Sequence, residues 1–162
     1  MKYITIFADA SFDHVTKAAG ISMWARDAVN FHRASKALTF PVDDAAQAES
    51  IALGTAITIA LRVFTHQPGD RLSIQSDCLH ALDLFAMKSQ RKKPWPGIEA
   101  AIRGNVFESI QRYGLTLCPK HVKGHSGNGN PRSAVNDWCD KEARRQMRNA
   151  RRELSATEGK QQ

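Results

Sequence analysis

The sequence predicts an α/β fold: a five-stranded mixed sheet with helices packed against it. Three observations carry that expectation. Residues 2–40 fall into three short-linked runs that read as strands, the pattern of an antiparallel meander. After Pro41 the apolar period changes from two to about 3.6, which marks a helix. A fourth strand follows that helix, so the first and fourth strands are joined by a strand–helix–strand crossover.

Met1–Ser11 (MKYITIFADAS) is the first strand. Tyr3, Thr5 and Phe7 fall on one face and Ile4, Ile6 and Ala8 on the other, so both faces are expected to be covered. Asp9 stands at its end. Taken alone, Asp9 reads as a turn cap, but a charge at the tip of a buried strand is costly without a partner. Ala10–Ala19 is expected to turn, Gly20–Arg26 to form the second strand and Phe31–Phe40 the third. Asp44 and Gln47 have capping-box spacing and open a helix expected to reach about Phe64. Leu53, Ile57, Leu61 and Phe64 make one apolar stripe, and Ala48, Ala52, Ala56 and Ala60 another, so this helix packs on the sheet. Glu49 lies one turn before Leu53, on the inward stripe.

Arg71–Asp77 (RLSIQSD) is the fourth strand, and a right-handed crossover sets it parallel beside the first. Asp77 then ends its strand as Asp9 ends the first. Both carboxylates are expected at one sheet edge, where α/β sheets bind ligands. Cys78–Lys88 is expected as a helix with Leu79, Leu82 and Phe85 or Ala86 inward. Ser89–Gly97 (SQRKKPWPG) interrupts it, either as a solvated loop or as a nucleic-acid contact using Arg91, Lys92, Lys93 and Trp95. Ile98–Tyr113 is helical again, with Gly114 just past its end. Leu115–Val122 is the last strand, placed at an edge by Pro119. Lys123–Arg132 (KGHSGNGNPR) is a loop that holds His125 among glycines. Ser133 is expected to cap a final helix with Val135, Trp138, Cys139, Ala143 and Met147 inward. Asn136 and Asp140 fall one turn apart near its positive end, and Arg144, Arg145, Arg148, Arg151 and Arg152 line its later part.

At 162 residues, 42% hydrophobic and 24% charged, the chain fits one globular domain, expected over residues 1–154, with a disordered tail over 155–162. No apolar run approaches the roughly 18 residues needed to span a bilayer. The N-terminus carries no secretory pattern, so a cytoplasmic protein without membrane contact is expected. Cys78, Cys118 and Cys139 are widely spaced and form no CxxC pair, which argues against a disulfide framework or a zinc site. The net charge of +7 favours a polyanionic partner.

Asp9, Glu49, Asp77 and Asp140 are therefore four acids that the topology brings toward one place. Converging carboxylates repel unless cations neutralise them. Oxygen ligands without clustered Cys or His select Mg²⁺ or Mn²⁺ over zinc. Two such ions would clamp a phosphodiester.

The residues around these acids resemble the type 1 ribonuclease H family over residues 2–150. The match rests on Asp9 in FADAS, Glu49 in AES, Asp77 in SDC, and the segment VKGHSG at 122–127 followed by NDWCDKEA at 136–143. The resemblance implies a sheet of order 3-2-1-4-5, with strands one to three antiparallel. It implies Mg²⁺-dependent hydrolysis of the RNA strand of an RNA–DNA hybrid, leaving 3′-hydroxyl and 5′-phosphate ends. Asp9, Glu49, Asp77 and Asp140 would hold two Mg²⁺ ions, with Mn²⁺ as a substitute, and His125 would assist proton transfer and product departure. Asp137 competes with Asp140, which fits the family's N-x-x-x-D pattern from Asn136. Ser11, Lys123 and Asn136 join Arg91, Lys92, Lys93 and Trp95 as expected substrate contacts, in a protein expected to be a monomer.

The chain also departs from the family. Phe12-Asp13-His14-Val15 replaces a Gly-rich turn, Ala45 and Ala46 replace asparagines that read RNA 2′-hydroxyls, and Leu79 replaces a glutamine. The basic handle is shorter. These departures keep a nuclease for branched or structured DNA as an alternative. A non-catalytic nucleic-acid-binding module predicts a lost acid, and none is lost.

Overall fold

Three strands run back and forth at the front of the chain: β1 (Tyr3–Phe12), β2 (Ala19–Arg26) and β3 (Phe31–Ala37). The computed structural model describes residues 1–122 and 131–158. β1 pairs antiparallel with β2, which pairs antiparallel with β3. The chain then crosses over through α1 (Ala45–Val63) to β4 (Arg71–Ser76), which lies parallel to β1. α2 (Leu79–Leu84) and α3 (Gly97–Tyr113) lead to β5 (Thr116–His121), parallel to β4, and α4 (Pro131–Glu158) closes the chain. The five-stranded sheet has the order β3-β2-β1-β4-β5, as expected.

Alternation along β2 assigns the two faces of the sheet. Ile21 and Met23 meet Ala52, Thr55 and Ile59 of α1 around one apolar cavity. Ser22, between them, donates from Oγ to Cys139 O of α4 at 2.7 Å. α1 and α4 therefore cover opposite faces. On the α4 side the approach is close because of Gly20. A Cβ there would come 2.1 Å from Met147 N and 2.3 Å from Ala143 O, so only glycine lets the helix backbone lie on this strand.

The first helix starts as its sequence predicts. Asp44 Oδ1 accepts from Gln47 N at 2.8 Å. The reciprocal bond lands one residue early, with Asp43 N donating to Gln47 Oε1 at 2.9 Å. Both apolar stripes are used: Ala48, Ala52, Ala56, Ala60, Leu53 and Ile57 are buried. Gly114 caps α3 in the left-handed region at φ 63°, and β5 is an edge strand that tolerates Pro119.

Several boundaries differ from expectation. β3 ends at Ala37 rather than Phe40, because Leu38 turns into the core and Val42 N donates to Lys17 O. α2 spans six residues instead of running from Cys78 to Lys88. Arg103 takes the carbonyls of Leu84 and Ala86, while the Asp83 carboxylate takes Ser89 Oγ and Gln90 N, so the chain turns there. Leu79, expected inward, is 66% exposed because it opens this short helix rather than lying along it. Ser133, expected to precede the last helix, falls within α4, which runs from Pro131 to Glu158. Ser155–Glu158, expected in a disordered tail, continue α4.

Candidate active site

β1 and β4 run parallel and stay in register to Phe7 opposite Gln75. Asp9 and Asp77 each lie two residues further on, which places them level at one sheet edge. Ser76 Oγ accepts from Cys78 N at 3.0 Å, forming a local turn that presents Asp77 just past its strand. Glu49 arrives from the second turn of α1. Its Oε1 lies 3.1 Å from Ala10 N, and Asp9 Oδ1 lies 2.9 Å from the same amide. One ligand oxygen each from Asp9, Glu49 and Asp77 falls within 4.8 Å of the others.

These three acids line a cavity of about 240 Å³ together with Asn136, Cys139 and Asp140 of α4. Asp140 shares the cavity wall but stands outside the tight group of three. Its Oδ1 accepts from Arg144 Nε at 2.9 Å, one helical turn on. Asp137 is exposed and does not line the cavity.

The electrostatics follow from the crowding. Burial pushes Asp9 up to about 6, with the negative charges of Asp77 and Asp140 adding to the effect. Burial, followed by the Asp9 charge, pushes Glu49 up to about 9. Glu49 Oε2 is buried without a donor. Hard oxygen donors that cannot all ionise side by side, with one buried oxygen lacking a donor, fit a divalent cation such as Mg²⁺ or Mn²⁺.

The remaining expected site residues lie elsewhere. Ser11 is half-buried in β1 opposite Gly20 and does not line the cavity. Arg91, Lys92, Lys93 and Trp95 lie in the loop between α2 and α3, and none of them lines the acid-bearing cavity. There the Arg91 guanidinium sits 4.9 Å from the Trp95 ring centre, and the exposed Lys92 and Lys93 make no ion pair among the described residues. His125 and Lys123 lie outside the described residues. Sequence reasoning missed Gln75, Ser76 and Cys139 on the cavity wall. For Ser76 a signal existed, since a serine just before a strand-ending acid favours a side-chain turn.

Known proteins give the chain a family and a fold. The family described as RNase H matches residues 1–148. Among curated proteins none matches the chain. One similar solved structure is the N-terminal RNase H domain of a Mycobacterium tuberculosis protein, solved as a fusion with maltose-binding protein. It has a TM-score of 0.67 and 14% identity, covering 93% of this chain and 96% of that one. Another is LC11-RNase H1, isolated from compost and solved in complex with an RNA/DNA hybrid. Its TM-score is 0.62 at 18% identity, covering 91% and 98% of the two chains. RNase H1 from the archaeon Halobacterium salinarum gives 0.58 at 14% identity, covering 91% and 99%. At these identities the structural likeness speaks for the fold.

Proposed function

The chain belongs to the RNase H family, and on that premise we propose that it is an endonuclease cutting the RNA strand of RNA–DNA hybrids. The observation that carries this reading is the gathering of Asp9, Glu49 and Asp77 within 4.8 Å at the sheet edge. Asp9, Glu49 and Asp77 would hold divalent ions, with Asp140 joining from α4. Two bound Mg²⁺ ions, or Mn²⁺ in their place, would activate water and stabilise the leaving oxygen, giving 3′-hydroxyl and 5′-phosphate ends.

The chain's own residues prepare that chemistry. The Ala10 amide anchors Asp9 and Glu49 side by side, so a ligand set exists before substrate arrives. Glu49 must give up its proton to serve as a ligand, and Asp140 must leave Arg144. His125 would move a proton at the departing oxygen. Lys92 and Lys93 would meet phosphates, while Trp95 and Asn136 would contact the sugar or base side. In this reading residues 1–154 act as one monomeric domain in the cytoplasm. Among the described residues no helix is long and apolar enough to cross a membrane.

One observation favours a second reading, cleavage of branched DNA. Ala45 and Leu79 are exposed at the starts of α1 and α2, where groups that read a 2′-hydroxyl would stand. Incubation with Mg²⁺ and labelled RNA–DNA, RNA–RNA, DNA–DNA and four-way-junction substrates separates the two. We expect cleavage of the RNA–DNA hybrid, with 5′-phosphate products. Cutting of the junction alone would replace the first reading with the second.

A further inference from the structure

Glu99 is buried in the first turn of α3 and takes no part in the reaction proposed above. A carboxylate is seldom buried without strong partners. Glu99 Oε1 accepts from two side chains on two other helices, Ser50 Oγ of α1 at 2.9 Å and His80 Nε2 of α2 at 2.7 Å. Ser50 is itself fully buried, and its single hydroxyl proton can go to Glu99 or to Ala46 O at 3.0 Å. The carboxylate is the stronger acceptor of the two. Because Ser50 and His80 both address the same Glu99 oxygen, the cluster is no nucleophile–base pair.

The partners' places in the chain matter. Ser50 follows Glu49 directly, and His80 comes three residues after Asp77. A single carboxylate oxygen thus ties the turn carrying Glu49 to the turn carrying Asp77. The helix that supplies it is firmly seated. Gly54 of α1 lies so close to α3 that a Cβ there would meet Ile102 Cγ2 at 2.3 Å, and Arg103 of α3 binds the carbonyls that end α2. On the outer side, the His80 ring meets Trp95 edge-on, with centroids 5.1 Å apart. Glu99 is therefore linked through Ser50 and His80 to the residues next to the acids, and through His80 to Trp95 of the basic loop.

We infer that Glu99 is a positioning residue for the metal-binding acids, holding Glu49 and Asp77 at the separation a divalent cation requires by pinning Ser50 and His80. The inference rests on the reading that these acids bind such a cation. Groups that orient metal ligands from behind cost on the order of 10- to 100-fold in affinity when removed.

The test is Mn²⁺ binding to the full chain, by calorimetry and by loss of the free-ion electron paramagnetic resonance signal. Wild type, Glu99→Leu, Glu99→Gln and Ser50→Ala are compared, with thermal unfolding followed in metal-free buffer. Glu99→Leu is expected to weaken Mn²⁺ binding at least 10-fold, within the range for such groups. Glu99→Gln, which keeps an oxygen for both donors, is expected to recover most of that loss. If Glu99→Leu unfolds more easily yet binds Mn²⁺ like wild type, Glu99 is structural only and the inference falls. Should Glu99→Leu fail to fold, Ser50→Ala decides, because it cuts only the α1 arm: weaker binding supports the inference and unchanged binding overturns it. A wild-type chain that takes up no Mn²⁺ would instead overturn the metal reading itself, and this inference with it.

Discussion

Glu49 and Asp9 hold protons in the folded chain that the unfolded chain has already released. Between their ordinary values of 4.5 and 3.8 and their folded values of about 9 and about 6, the folded state binds more protons. In that window the metal-free protein loses stability as pH rises. Glu49→Gln, which cannot ionise, should therefore match wild type near pH 4 and melt at a higher temperature than wild type at pH 8 without metal. Calorimetric melting over pH 4–9 measures this, and saturating Mg²⁺ should shrink the difference. Equal melting temperatures at pH 8 would show that Glu49 is not strained. Asp77→Asn should likewise abolish cleavage while stabilising the metal-free protein, since one charge leaves the cluster. Cleavage within a few-fold of wild type would remove Asp77 from the ligand set. For His125→Ala, turnover should fall roughly 10²-fold, the low end for general acid–base groups, with hybrid affinity unchanged. A joint fall in both would point to a binding role.

At the scale of elements, α4 and β2 depend on one missing side chain. A Cβ on Gly20 would meet backbone atoms of α4, and backbone cannot swing aside as a rotamer does. Gly20→Ala should cost about 3 kcal/mol, the upper part of the usual overpacking range. Urea unfolding checks this. A loss below ~1 kcal/mol would mean that α4 shifts freely on the sheet. Because Asp140 rides on α4, the same variant should also lose activity before it loses the fold. That Gly20 begins a strand was legible in its neighbours' alternation. That Ala143 and Met147 of α4, far downstream, needed its missing Cβ was not.

At the scale of the whole molecule, the question is which basic face grips the substrate. Among the arginines of α4, Arg144 pairs with Asp140, Arg145 with Glu142 and Arg151 with Asp13. Lys92 and Lys93 make no ion pair among the described residues, so their charge is available to phosphates. Lys92→Ala with Lys93→Ala should weaken hybrid binding uniformly across sequences and flatten the salt slope by about 0.9 per lost phosphate contact. Replacing Arg145, Arg148 and Arg151 with alanine should change the slope less. Affinity measured from low to high salt for both sets decides, and the reverse ranking would move the grip to α4.

The meander, the crossover and the two acids at the ends of neighbouring parallel strands were legible in the sequence by itself, as was the cap at Asp44. Each depends on periodicity or spacing within a few residues, and backbone hydrogen bonding imposes those locally. The resemblance of the motifs added the strand order. Only the tertiary structure decided how the acids meet: Glu49 beside Asp9 on the Ala10 amide, Asp140 drawn to Arg144, and Glu99 buried between Ser50 and His80. Local pattern cannot report these, because whether a polar side chain is buried and which donor it finds depend on elements far apart in sequence. The ends of α2 and α4 belong with them. α2 stops where Arg103, from the next helix, takes its carbonyls, and α4 carries on past the residue where the sequence suggested a tail.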